Sequence, residues 1–142
     1  MKVAIAGYGV EGKASYQYWR SRGDQVTIVD ERPISVHDLP YGASAITGPG
    51  SFKALKDFDL VVRAPSIAPA RLKTGGKVWS ATSEFFDKCT VPIIGVTGSK
   101  GKGTTSSLID AIMKAAGLKT VLVGNIGQPA LELLNEANDT DA

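Results

Sequence analysis

A single cysteine, Cys89, stands among 142 residues, so an intramolecular disulfide framework is excluded and a reducing compartment is expected. Cys89 has no histidine or second thiol near it, which argues against a catalytic role. The one histidine, His37, lies in a loop-like stretch with no metal partner nearby. No apolar run approaches the ~20 residues that a membrane helix needs. Charge of one sign is also scarce: sixteen basic against fourteen acidic side chains give +2 with no long run, so composition gives no sign of a nucleic-acid interface. Met1 to Gly7 lacks the layout of a signal peptide and reads as a first strand. There is no internal repeat beyond a recurring β–α unit and no low-complexity segment. The expectation is a cytoplasmic protein with neither membrane nor nucleic acid as partner.

What is abundant is glycine, and it falls at the ends of apolar runs. Val3-Ala4-Ile5-Ala6 stops at Gly7, as a buried parallel strand does. Gly7-Tyr8-Gly9-Val10-Glu11-Gly12 then matches G-x-G-x-x-G, and a helix is expected through Ala14, Tyr18 and Trp19 to about Arg22, closed by Gly23. Gln25 to Asp30 reads as a second strand with an acidic residue at its end. These are the parts of a Rossmann-type βαβ unit, with Asp30 near the offset at which an acid meets a nucleoside. Glu11 does not suit a dinucleotide, because its charge would face a pyrophosphate at the helix start. A tight turn without a ligand is the competing reading.

Further strands are expected at Ala43–Thr47, Asp59–Arg63 and Lys77–Ser80. Arg32 to Tyr41 reads as loop, Ser51 as the cap of a short helix through Leu55, and Ala68 to Leu72 as a helical turn. Pro65 and Ser66 follow the fourth strand at its C-terminal end, the edge where open α/β sheets bind ligands, although an ordinary turn explains them equally well. Ser83 is expected to start a small helix, and Lys88 to Pro92 to link into a second unit. Trp19, Trp79, Phe85 and Phe86 read as packing residues.

The second unit opens on Ile93-Ile94-Gly95-Val96, an apolar strand-like run, followed by Thr97-Gly98-Ser99-Lys100-Gly101-Lys102-Gly103-Thr104-Thr105 and a helix to Ala116. A strand, a Gly/Lys loop and a helix start form an arrangement that cradles polyphosphate through backbone N–H groups, the helix dipole and a lysine. The strict pattern G-x-x-x-x-G-K-[ST] is not met, since Gly103 follows Lys102. Thr104 and Thr105 come next and can supply the hydroxyl. Thr120–Val123 reads as another strand, Gly124 to Gln128 as a loop, and Pro129 opens a helix over Ala130–Ala137. Two strands and two helices are too few for a sizeable core.

The loop Thr97–Thr105 resembles the ATP loop of the Mur ligase superfamily, T-G-[ST]-N-G-K-[ST]-T, with Lys100 in place of Asn and Gly103 in place of Ser/Thr. Its Gly-Lys-Gly form is similar to the folylpolyglutamate synthase branch, which implies Thr104 as the magnesium hydroxyl. Gly7–Gly12 with Asp30, Arg63-Ala64-Pro65-Ser66-Ile67-Ala68 and Gly124-Asn125-Ile126-Gly127 instead resemble the branch that joins D-glutamate to UDP-N-acetylmuramoyl-L-alanine. That resemblance spans nearly the whole chain.

It implies an α/β fold: a Rossmann-like parallel-sheet domain over 1–90 that binds the UDP substrate, and over 91–142 the opening, incomplete part of a P-loop-type ATP-binding domain. Asp30 and Glu31 would meet the uracil, the backbone of Val10 and Glu11 would lie near the diphosphate, and Pro65 and Ser66 would line the same site. Gly98, Ser99, Lys100, Gly101, Lys102, Gly103, Thr104 and Thr105 would hold ATP and Mg²⁺, with Lys102 catalytic, Thr104 on the metal and Asn125 towards the substrate. The implied reaction converts the muramoyl-alanine carboxylate to an acyl phosphate that the amine of D-glutamate attacks, a step of peptidoglycan synthesis. The family's remaining central motifs and its D-glutamate domain would lie beyond residue 142, so this chain is expected to be a piece that does not ligate alone. Two other functions stay open: a non-catalytic nucleotide-binding module completed by a partner chain, and a dinucleotide-dependent oxidoreductase domain.

Overall fold

The computed structural model describes residues 1–124 and 128–141. They form two compact units, Met1–Ala81 and Thr82–Ala142.

The first unit is built on a five-stranded sheet of β1 (Lys2–Ala6), β2 (Gln25–Asp30), β3 (Ser44–Thr47), β4 (Leu60–Arg63) and β5 (Lys77–Trp79), in the order β3-β2-β1-β4-β5. Every pairing is parallel, with Ala4 opposite Thr27 and Val61, and Ala6 opposite Val29 and Arg63. Partners in register share a face, so the strand period of two sorts the core into two layers. Ala4, Ala6, Val29 and Val61 face one way and pack with Phe52 and Leu55, from the 3-10 segment Ser51–Asp57, and with Ile67 and Leu72. Helix α1 (Val10–Ser21) packs on β1 and β2 and comes close to Ile5, on the other face. Trp19, wholly inside at 2% exposure, anchors it. Full burial of a side chain of that size is worth about 3 kcal/mol or more.

Gly23 ends α1 as expected. It takes a left-handed φ of +84°, and the N–H groups of Gly23 and Asp24 donate to the carbonyls of Arg20 and Trp19. That double bond pattern satisfies two carbonyls a helix end otherwise leaves open. The second unit repeats it where α3 (Lys102–Ala115) ends: Gly117, at φ +85°, and Leu118 donate to Lys114 and Met113.

Several expectations are corrected. Ser51 caps nothing: its hydroxyl is buried without a hydrogen-bond partner among the described residues, and Gly50, in the left-handed region, starts the turn instead. The segment after it is a 3-10 helix, which the short, tight connection favours. Helix α2 (Ala81–Lys88) begins two residues before Ser83.

Residues 93–96 and 120–123 form no strand in the second unit, where the only pairing among the described residues is a single bridge from Val123 to Gln128. The physical reason is the lack of neighbours: an apolar extended run becomes sheet only when its backbone groups find a partner. Ile94 is 54% exposed accordingly. The last helix is also divided, into a 3-10 turn Ala130–Leu133 and α4 (Leu134–Asn138). Phe86, at 58% exposed, is not a packing residue, whereas Phe85 is buried.

Hydrogen bonds tie the second unit together. The Asn138 side chain accepts from the Thr90 amide at 2.8 Å and donates to the Lys88 carbonyl at 3.3 Å. Asp110 accepts from the Thr120 hydroxyl at 2.6 Å and pairs with Lys114 at 2.9 Å, and these two bonds hold its carboxyl below the usual range.

Candidate functional site

The three glycines of Gly7–Gly12 do three different jobs. Gly7 has φ +90°, and a Cβ there would stand 2.8 Å from Ile67 Cδ1 and 2.9 Å from Ala64 Cβ. Its bareness lets the turn after β1 meet the segment after β4. A Cβ on Gly12 would stand 2.1 Å from the Gly7 carbonyl oxygen, so only glycine lets α1 start this close to the turn. Gly9 has nothing within 4 Å of such an atom. Two glycines are therefore required by packing, and the third faces open space where a ligand can approach the backbone. Gly9 is also the N-cap of α1 and offers no side chain, which leaves the first amides of the helix to an outside acceptor.

Asp30 stands at the end of β2, only 4% exposed. Its Oδ2 accepts the Tyr8 amide at 2.8 Å and Arg32 Nη2 at 2.9 Å, while Oδ1 accepts the Arg32 amide at 2.9 Å and Arg32 Nε at 3.2 Å. Burial alone would raise its pKa, but the Arg32 side chain, the Tyr8 and Arg32 amides and the Arg32 charge together hold it below the usual carboxylate range. Asp30 thus fixes the turn between β1 and α1. Next to it, Glu31 pairs with Arg71, whose guanidinium lies 5.6 Å over the Phe52 ring. Glu11 lies in the first turn of α1, and partial burial raises its pKa.

The expected residues Val10, Glu11, Asp30, Glu31, Pro65 and Ser66 all lie on segments that leave the C-terminal ends of β1, β2 and β4, and so share one edge of the sheet. Val10 is 74% exposed there, as suits a residue that would act through its backbone. Pro65 and Ser66 form a turn closed by the Ile67 amide on the Ala64 carbonyl at 3.0 Å, and Arg63 braces it through the Ile67 carbonyl at 3.1 Å. A shallow pocket of about 240 Å³ opens at this edge, lined by Tyr8, Lys13, Arg32, Pro33, Ile34 and Asp38. Sequence reasoning passed over Lys13, Arg32 and Asp38. For Arg32 a signal existed, a cation two residues beyond a strand-end acid; for Lys13 and Asp38 none did.

In the second unit, Gly98 has φ +148° and Gly101 φ +76°, conformations that glycine tolerates and that shape a loop running into α3. Gly101 is the N-cap and no side chain caps α3, so the amides at its start are open; the first internal bond is from Thr105 N–H to the Gly101 carbonyl at 2.9 Å. Lys102 Nζ donates to the Gly98 carbonyl, folding the lysine across its own loop. Ser99, Lys100, Thr104 and Thr105 are exposed around it, and Gly103 half-exposed. Open amides, a cation and two hydroxyls fit a polyphosphate and its divalent metal. Among the described residues no group of three or more His, Cys, Asp or Glu side chains gathers to hold a metal, and no helix is long and apolar enough to cross a membrane. Asn125, the remaining expected residue, lies outside the described residues.

No family model matches the chain. Known proteins do. Over 142 residues, 94% of the chain, it is 35% identical to the UDP-N-acetylmuramoylalanine–D-glutamate ligase of Haemophilus influenzae (strain PittEE), of which it spans 32%. It is 36% identical over 148 residues to the UDP-N-acetylmuramoyl-L-alanine–L-glutamate ligase of Xanthomonas euvesicatoria pv. vesicatoria (strain 85-10), covering 93% of this chain and 32% of that one. Among solved structures, a pseudomurein peptide ligase type C from Methanothermus fervidus shares the fold with a TM-score of 0.50 and 23% identity, over 84% of this chain and 27% of that one. The chain therefore spans about a third of the length of the curated relatives it matches.

Proposed function

We infer, for a chain homologous to a third of the UDP-N-acetylmuramoylalanine–glutamate ligases, that it is the nucleotide-handling part of an ATP-dependent ligase joining D-glutamate to UDP-N-acetylmuramoyl-L-alanine in peptidoglycan synthesis. The observation that carries this reading is the pairing of two glycine turns in one chain, each opening an uncapped helix that offers free amides to phosphate. One belongs to a Rossmann-like sheet and the other carries Lys102. A dinucleotide-dependent oxidoreductase leaves the second loop without a purpose.

In this reading residues 1–90 hold the UDP end of the substrate. The amides of Val10 and Glu11 meet the diphosphate, Asp30 and Glu31 meet the uracil, and Pro65 and Ser66 line the same site. Residues 91–142 open the ATP domain. Gly98, Ser99, Lys100, Gly101, Gly103 and Thr105 line the phosphates, Lys102 leaves the Gly98 carbonyl to neutralise charge on the transferring phosphoryl group, and Thr104 turns its hydroxyl to Mg²⁺. When bound, Mg²⁺ supplies Lewis-acid neutralisation of that charge. Asn125 is assigned to the substrate side.

The test is a ligation assay on the full-length protein. ATP-dependent phosphate release that requires both UDP-N-acetylmuramoyl-L-alanine and D-glutamate supports the reading. Because a relative named for L-glutamate is as similar as one named for D-glutamate, L-glutamate is run beside it. Turnover with L-glutamate alone overturns the choice of amino acid, and no turnover with either overturns the ligase reading.

A further inference from the structure

Charge is spread unevenly over the first unit. The whole chain carries only +2, yet the stretch 51–77 holds six basic side chains and two acids, Asp57 and Asp59. Several of these groups are engaged. Asp59 accepts the Lys2 amide at 2.8 Å, Arg63 donates to the Ile67 carbonyl, Arg71 pairs with Glu31, and the Lys77 ammonium lies 3.5 Å from the centre of the Trp79 ring. The side chains of Lys53, Lys56 and Lys73 are exposed and make no ion pair or hydrogen bond among the described residues. Asp57 is the one acid of the stretch in the same condition.

The backbone gathers these three lysines. In the 3-10 segment Ser51–Asp57 three residues make a turn, so Phe52 and Leu55 share the ridge buried in the core. Lys53 and Lys56 share the next ridge, one above the other. The Thr74 hydroxyl donates to the Leu55 carbonyl at 2.8 Å, and Leu72 packs in the same cluster as Leu55, which sets Lys73 beside the second turn of that segment. Lys77 follows at the start of β5, opposite Leu60. Residues 56–59 and 73–76 lead into β4 and β5, so Lys56, Lys73 and Lys77 belong to the edge of the sheet opposite the glycine turn.

The chemistry of the patch narrows its partner. All three unpaired cations are lysines, point charges on flexible stems without the forked guanidinium that reads phosphates and bases in fixed geometry. Nor do the aromatics of the stretch offer a base an open face to stack on. Phe52 is buried, Phe58 is partly buried against the core, and Lys77 covers the Trp79 ring. Lysines that need no fixed geometry suit a continuous anionic surface, and each one close to such a surface adds about fivefold to binding.

We propose that Lys53, Lys56 and Lys73, with Lys77 beside them, form a docking surface for a membrane rich in anionic phospholipid, held peripherally through charge and without an apolar span.

Co-sedimentation of the full-length protein with vesicles tests it, with phosphatidylglycerol mixed into phosphatidylcholine against phosphatidylcholine alone. At low salt the protein should bind the anionic vesicles and not the neutral ones, and about 0.5 M NaCl should release it. Lys53→Gln, Lys56→Gln and Lys73→Gln should each weaken binding about fivefold, and the triple variant about a hundredfold. All should unfold at the wild-type midpoint, because these side chains bond nothing among the described residues. The triple Lys→Arg variant keeps the charge and should bind as the wild type does. A wild type that ignores anionic vesicles, or a triple Lys→Gln variant that binds them undiminished, overturns the proposal. An oligonucleotide that binds these lysines more tightly than the vesicles do overturns the choice of a membrane.

Discussion

The Asp30 carboxylate accepts the Tyr8 backbone amide at 2.8 Å, across 22 residues of sequence, and so pins the end of β2 to the turn that follows β1. The same carboxylate holds Arg32 at 2.9 Å. The strand-end acid thereby bolts the turn between β1 and α1 to the end of β2.

Asp30→Ala should accordingly cost stability, by about 2–3 kcal/mol, since it strands a buried amide and removes charged hydrogen bonds. Chemical denaturation measures it. The pH dependence has a definite sign. The folded-state pKa of Asp30 is lowered, so its stabilisation is fully present above the unfolded-state value of about 3.9 and is lost as pH falls through the folded-state value. The stability gap between wild type and Asp30→Asn should be constant near neutrality and shrink on acidification below about pH 4.

The glycines separate packing from function. Gly12→Ala should destabilise the fold by about 2–4 kcal/mol, because the new methyl meets the Gly7 carbonyl and backbone must shift. Gly9→Ala has open space and a φ of −85°, so stability should fall by no more than about 1 kcal/mol, the ordinary loss on placing alanine at an N-cap. UDP affinity should nevertheless fall, because the methyl would occupy the face that a diphosphate approaches. Thermal melts alongside a UDP titration separate the two effects.

Ser51→Ala should be neutral or stabilising by up to about 1 kcal/mol, as it removes a buried hydroxyl that has no partner among the described residues. A loss of stability in the denaturation curve would mean that the hydroxyl is satisfied by a bound water.

Lys102→Ala should leave folding unaltered, because the side chain bonds only its own loop, and should weaken ATP binding by the full-length protein at least tenfold. Thr104→Val should weaken ATP only when Mg²⁺ is present. Equal losses with and without the metal would move the hydroxyl role elsewhere, with Thr105 the next candidate.

Much of the first unit was legible in the sequence because its signals are local. β2 ends where its apolar run meets Asp30, and α1 ends at Gly23, each dictated by neighbouring residues. The position of Asp30 could be read in the same way. Its occupation could not, since Arg32 folds onto it and Tyr8 reaches it only once β1 and β2 pair in register. Lys13 gave no sign because a lysine in a helix is ordinarily a solvated surface group. In the second unit local signals misled: Ile93–Val96 and Thr120–Val123 carry strand-like patterning, but sheet formation depends on pairing partners that the described residues do not provide. Residue type announced the Gly98–Thr105 loop; the lysine's contact with Gly98 is a matter of conformation and was not readable.

The most direct test of the account is a titration of the isotopically labelled chain with UDP, followed by backbone amide shifts, with NAD as the comparison. UDP should move the amides of Tyr8 to Lys13, Arg32, Ile34 to Asp38 and Ser66, and NAD should not. Shifts at those amides with NAD and none with UDP would contradict it.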